Sequence, residues 1–306
     1  MNESKVPYIT LSAGGMIPQL GFGTWTLRDD AEDAVDTAIK AGYRLIDTAS
    51  MYGNEEAVGR GIRKSGIDRE SLFVTTKITP SEMSQRPQSQ WIEKSLERLD
   101  IGWIDLMLLH WPAANEKYHR ETWDVLEEYA AKGLIKHLGV SNFNPRQIDD
   151  LLIHGHLPPV VNQIELHPYR QQIGNVKADG ERNIAIECYS PLAEGRAAKD
   201  PVLEEIAKAH GKTAAQVTLR WEIQKGFITI PKGRNPAHIQ SNMDIWDFAL
   251  TEKEMETIAS STNTPAPTPK THRGETAEEH VFSRAPLTLA FPDGEREPRA
   301  VDRVDY

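Results

Sequence analysis

Short apolar runs of strand length alternate with longer stretches of helical spacing from Gly21 to Ile230, and few folds accommodate that pattern. Strands are predicted over 43–46, 72–76, 104–109, 135–140, 160–164, 184–187 and 227–230, with a first one just before Gly21. Between them, helical spacing is read over 30–41, 55–64, 88–99, 121–132, 145–153, 202–209 and 214–225. A strand followed each time by a helix implies a parallel sheet with right-handed crossovers. Eight such units in about 240 residues fit a closed (β/α)8 barrel of the TIM type, with a doubly wound open sheet as the alternative. Ahead of it, 7–21 reads as a β-hairpin turning at Ala13-Gly14-Gly15. The sixth helix, expected within 171–182, is a poor one because Gly174 and Gly180 interrupt it. The domains expected are a barrel over 1–262 and an irregular C-terminal tail over 263–306, where Pro265, Pro267 and Pro269 crowd together.

The 306 residues carry 35 basic and 45 acidic side chains, a formal charge of −10, which argues against a nucleic-acid or anionic-membrane surface. A single cysteine, Cys188, permits neither an intrachain disulfide nor a thiolate cluster for zinc. The first residues lack the basic and apolar pattern of a signal peptide, and the run 104–109 is far too short to span a bilayer. A cytoplasmic, monomeric protein with a small-molecule substrate is expected.

In a barrel of this kind, reactive groups sit just past the carboxyl ends of the strands. Asp47 follows the second strand, Lys77 the third, His110 and Trp111 the fourth, Ser141 and Asn142 the fifth. Gln163 and Glu165 stand at the sixth exit, Tyr189 and Ser190 at the seventh, Lys232 at the eighth. Any one of these has a bland reading as a cap, a solvated terminus or a satisfied histidine. Taken together they suit carbonyl reduction: a tyrosine acid (Tyr52, five residues past Asp47), a lysine that lowers its pKa, an aspartate that holds the lysine, and a histidine that orients an oxygen. The six-residue glycine fingerprint of a Rossmann fold is missing, so a nicotinamide cofactor would lie extended across the barrel mouth. Ser141, Asn142 and Gln163 can read its amide, Tyr189 can stack on a flat ring, and Pro231-Lys232-Gly233-Arg234 ahead of a helix start near Pro236 suits a phosphate. His110 and Asp47 make a poor ligand set, so no metal is expected.

The motifs Gly21-Phe22-Gly23-Thr24-Trp25, Leu45-Ile46-Asp47-Thr48-Ala49 leading to Tyr52-Gly53-Asn54-Glu55, Thr75-Thr76-Lys77, Leu108-Leu109-His110-Trp111-Pro112, Gly139-Val140-Ser141-Asn142-Phe143, Asn162-Gln163-Ile164-Glu165-Leu166-His167-Pro168, Tyr189-Ser190-Pro191-Leu192 and Ile230-Pro231-Lys232 stand in order along 6–259. On these the chain resembles the aldo-keto reductase family, and within it the bacterial branch of 2,5-diketo-gluconate reductases. The resemblance implies NADPH as cofactor, with NADH a second possibility, and a catalytic tetrad of Asp47, Tyr52, Lys77 and His110. It places Trp25 and Trp111 beside Tyr52 and His110 in the substrate pocket. It implies cofactor contacts at Gly23, Thr24, Asp47, Ser141, Asn142, Gln163, Tyr189, Ser190, Leu192, Lys232, Gly233, Arg234, His238 and Asn242. Where the family often has serine and arginine, this chain has Gly233 and His238, which weakens a 2′-phosphate clamp unless Arg234 compensates. Glu194 is expected near the pyrophosphate, neutralised by Arg196 or Lys199. The alternative to an enzyme is a cofactor-binding regulatory barrel with vestigial activity.

Overall fold

The computed structural model describes residues 6–260, so the expected tail and the boundary at 262/263 lie outside the described residues. The chain opens with the antiparallel pair β1 (Tyr8–Thr10) and β2 (Met16–Pro18). Gly14 and Gly15 turn it with φ of 85° and 81°, a region that side chains rarely adopt. The hairpin plugs the amino end of a barrel. Leu11 and Ile17 join Leu45, Phe73, Leu106, Leu108, Val161 and Ile228 in one apolar cluster.

Eight parallel strands follow in chain order: β3 (Phe22–Gly23), β4 (Leu45–Asp47), β5 (Phe73–Ile78), β6 (Ile104–Leu109), β7 (Ile135–Ser141), β8 (Val161–Glu165), β9 (Ala185–Tyr189) and β10 (Ile228–Thr229). The sheet closes on itself rather than remaining open. Leu20 bridges Thr229, the Gly21 N–H donates to the Thr229 carbonyl at 2.9 Å, and the Gly23 N–H donates to that of Pro231 at 3.1 Å. The seam is too tight for a side chain at Gly23, whose Cβ would lie 2.8 Å from the Ile230 carbonyl oxygen. The opening barrel strand therefore runs through and past Gly21, not just before it as the sequence suggested; the earlier run belongs to the hairpin.

The outer layer consists of α1 (Ala31–Ala41), α2 (Glu55–Ser65), the short α3 (Pro80–Met83), α4 (Ser89–Leu99), α5 (Glu116–Ala131), α6 (Pro145–His154), α7 (Ile173–Glu181), α8 (Pro201–His210), α9 (Ala214–Gln224), α10 (Pro236–Met243) and α11 (Glu252–Ser260). Helix α5 starts five residues earlier than its apolar spacing indicates, because Asn115 Oδ1 accepts the Lys117 N–H at 3.0 Å and caps it there. Helix α7 forms despite its glycines. A Cβ at Gly174 or Gly180 would meet open space, so both face outward and cost only propensity.

What fastens α7 is its one buried residue, Asp179, whose Oδ2 accepts from Asn162 Nδ2 on β8 at 2.8 Å. Burial pushes this carboxyl up to about 6, against the pull of Asn162 and Arg182. Its folded pKa thus exceeds the unfolded value, so its contribution to stability is complete below the unfolded pKa and is lost as pH rises through the folded one. Asp179→Asn is expected to flatten the dependence of stability on pH between roughly 4 and 7, by up to about 3 kcal/mol. Urea unfolding at both ends of that window checks this; an unchanged slope would sink it.

Candidate active site

Strand period places the site. In β4, β5, β8 and β9 the inward positions include Asp47, Lys77, Gln163 and Glu187, all buried around one level of the barrel. Lys77 is fully buried, and its Nζ lies 2.7 Å from each oxygen of Asp47, 2.9 Å from the Thr48 carbonyl oxygen and 3.4 Å from the Tyr52 hydroxyl. Tyr52 ends the 3-10 turn Ser50–Tyr52, and Asn54 ties that loop down. Asn54 Oδ1 accepts from Thr48 Oγ1 at 2.7 Å, and its Nδ2 donates to the carbonyls of Thr24 and Leu27. The Tyr52 ring, half-buried, meets His110 edge-on at 5.8 Å, and His110 stands at the exit of β6. The predicted tetrad is one contiguous cluster.

The electrostatics refine the sequence reading. Burial raises the Tyr52 phenol above its ordinary value; Lys77 pulls it down, as expected, and Asp47 pushes it back up, so the net direction is upward. Burial acts to lower the Lys77 ammonium, but Asp47, Tyr52 and Glu187 outweigh it and leave it raised. Both groups therefore keep their protons at neutral pH.

Beside the tetrad, Ser141 Oγ donates to the Gln163 carbonyl at 2.8 Å, and Asn142, held at φ 62°, donates through Nδ2 to the His110 carbonyl at 3.2 Å. The Tyr189 hydroxyl donates to Asn142 Oδ1 at 3.0 Å, which fixes its ring at the mouth. Gly23 and the buried Thr24 line the same side, and the Thr24 hydroxyl donates to the Asp47 carbonyl at 2.9 Å. Trp25 and Trp111 remain 39% and 41% exposed, enough to offer apolar walls to a ligand.

Across the mouth, Lys232 Nζ meets Thr26 Oγ1 at 2.6 Å, and Arg234 reaches the Thr26 carbonyl at 2.6 Å and Asp30 Oδ2 at 3.3 Å. Burial and then Arg234 lower the Lys232 ammonium, while Asp30 and Glu194 raise it. The Lys232 ammonium thus feels the Glu194 charge, and Arg196 lies 3.9 Å over the Tyr169 ring. Ser190, Ala193 and Glu194 all have positive φ, so the loop carrying Leu192 leaves β9 in a tightly wound course. Gly233 packs against α10, since a Cβ there would lie 2.9 Å from Ile239 Cγ1. On α10 itself, His238 is exposed and Asn242 buried.

Sequence reasoning missed Glu187. It is fully buried, and its Oε2 accepts from Gln163 Nε2 at 2.8 Å. Burial first, then the Asp47 charge, push its carboxyl up to about 8, against Gln163 and Lys77. The available signal was its place two residues before Tyr189, on the same face of β9.

A model of the aldo/keto reductase family matches residues 19–263. A 9,11-endoperoxide prostaglandin H2 reductase of Trypanosoma cruzi is 46% identical over 255 residues, covering 82% of this chain and 89% of that protein. A glyoxal reductase of Bacillus subtilis is 40% identical over 260 residues, covering 84% and 94%. A Bombyx mori aldo-keto reductase solved in complex with NADP superposes with a TM-score of 0.77 at 36% identity, covering 83% and 92%.

Proposed function

The chain belongs to the aldo/keto reductase family and is an oxidoreductase; from that premise we propose that it reduces small aldehydes and ketones to alcohols with NADPH, Tyr52 donating the proton. The observation that carries this reading is Lys77 Nζ set between both Asp47 oxygens and the Tyr52 hydroxyl, at a mouth flanked by Trp25 and Trp111.

The donor set fits a nicotinamide dinucleotide. Amide-reading groups (Ser141, Asn142, Gln163) and the flat Tyr189 stand at one end; Lys232, Arg234 and the start of α10 stand at the other. Bound there, the nicotinamide supplies hydride to the carbonyl carbon. The Tyr52 hydroxyl gives its proton to the carbonyl oxygen, which His110 orients from the neighbouring exit. The phenolate left on Tyr52 is stabilised by the Lys77 ammonium, and Asp47 and the Thr48 carbonyl hold that ammonium in place. Trp25 and Trp111 exclude water from one side of the substrate and hold its apolar part.

Cofactor preference follows from the phosphate end. Gly233 offers no hydroxyl, His238 no permanent charge, and Arg234 is shared with Asp30. NADPH is expected to be preferred over NADH by less than about a thousandfold in kcat/KM, roughly 4 kcal/mol. Steady-state rates with each cofactor measure it, and a larger margin overturns it. The net charge of −10 argues against a nucleic-acid partner, and among the described residues no helix is long and apolar enough to cross a membrane; we take the protein to be a monomer acting in the cytoplasm on small molecules.

The testing experiment follows NADPH absorbance with methylglyoxal, an aromatic aldehyde, a keto-sugar acid and a cyclic ketone, using Tyr52→Phe as control. Turnover lost in the variant supports the reductase. Tight NADPH binding with no turnover on any carbonyl would favour a regulatory barrel instead.

A further inference from the structure

The Gln163 amide has two N–H bonds, and both are spent on carboxyl groups: Nε2 lies 2.8 Å from Asp47 Oδ2 and 2.8 Å from Glu187 Oε2. All three side chains are buried. Rotating the amide by half a turn would set its oxygen against an Asp47 carboxylate oxygen and withdraw the N–H that Glu187 Oε2 accepts, so the two partners together favour one orientation. With no N–H left over, Gln163 can offer a ligand only an acceptor, Oε1. Asp47 sets which end of the amide faces it but engages only one N–H; Glu187 takes the second, which would otherwise be available to a ligand at the mouth.

Resting on the reading that Gln163 meets the nicotinamide carboxamide, we propose that Glu187 is a positioning residue of the cofactor site: it locks the Gln163 amide so that Oε1 receives the carboxamide NH2 and fixes which way round that group sits. Glu187 touches neither substrate nor cofactor. It acts through one hydrogen bond, from a strand face that it shares with Tyr189. Its burial makes it a costly residue to keep for packing alone, because an apolar side chain of similar volume would fill the same space without desolvating a carboxyl.

The test compares NADPH with 2′-phospho-ADP-ribose, which lacks the nicotinamide, by titration calorimetry on the full chain. Glu187→Met removes the acceptor and is expected to weaken NADPH about fivefold to twentyfold while leaving the fragment within about twofold. Glu187→Gln, whose side-chain carbonyl can accept the same bond, is expected to restore the ratio. Circular dichroism checks folding, and Glu187→Ala is the second acceptor-free variant if the methionine variant does not fold. Gln163→Ala reports on the underlying reading. If it lowers the NADPH-to-fragment ratio and Glu187→Met does not, the role of Glu187 is overturned alone. If Gln163→Ala leaves the ratio unchanged, the carboxamide reading fails and this proposal with it. Equal weakening of NADPH and fragment in the Glu187 variants marks a merely structural residue and also overturns it.

Discussion

Tyr52→Phe is expected to lower kcat/KM for carbonyl reduction by about a thousandfold, the range lost when a positioned proton donor is removed. The substitution takes away one oxygen and little else. The ring's edge-on contact with His110 at 5.8 Å and the Lys77 ammonium 5.0 Å from its centroid need only the ring. NADPH affinity should therefore stay within about threefold, since no transition-state interaction contributes to it. Wild-type activity has a matching signature in pH. The phenol is raised, burial prevailing over Lys77, and a donor works only while protonated. The rate of reduction should hold steady through neutral pH and fall on the alkaline side, above the ordinary range of a tyrosine. Single-turnover rates with methylglyoxal, alongside NADPH titration by fluorescence, separate chemistry from binding. A variant that retained a tenth of the wild-type rate would remove Tyr52 from the role of acid.

The barrel and most of the tetrad were legible because both rest on short-range regularities. Eight changes of period announce the fold, and a strand exit is readable wherever the strand is, so Asp47, Lys77 and His110 stand out without coordinates. Tyr52 was readable only through its short distance from Asp47. What escaped has no period. The closure depends on β3, two residues long, and on a bridge from Leu20 to Thr229 that no local pattern encodes. Lys232 meets Thr26 across 206 positions of sequence, so its partner could not be read from its neighbours. Helix α7 defied its glycines because propensity says nothing about which way they face. Glu187 is the instructive case. A lone acid in a strand suggests a solvated face, and only the inward register of β9 against Gln163 turns it into part of the site. The direction of the Tyr52 shift was hidden for a related reason: charges can be counted from sequence, whereas desolvation requires the packed barrel.

Lys77→Met is expected to cost about 3–5 kcal/mol of stability at neutral pH, besides abolishing turnover, because it removes one partner of a buried ion pair. The ammonium makes short contacts to both Asp47 oxygens and to the Thr48 carbonyl, all out of reach of solvent. Without it, two carboxyls joined through the Gln163 amide remain at the centre of the barrel with no cation between them. Glu187 already sits at about 8 with Lys77 present, so losing that charge drives it further toward the protonated form. Its folded pKa then lies still further above that of the unfolded chain. Its contribution is intact at acid pH, below the unfolded value, and is lost as pH rises through the folded one. The deficit of the variant should accordingly be small near pH 5, grow through neutrality and be greatest in mild alkali. A double variant, Asp47→Asn with Lys77→Met, takes away the uncompensated charge and should be more stable than Lys77→Met alone, by about 2 kcal/mol or more at neutral pH. Urea unfolding of the four proteins of that cycle at acid, neutral and alkaline pH decides the matter. Equal losses at every pH, or a double variant no better than the sum of the singles, would mean that Lys77 acts by filling space rather than by charge. If the double variant recovers, the lysine and aspartate stabilise chiefly each other. Their retention in an interior that leucine and valine could fill is then explained by the proton held 3.4 Å away on Tyr52.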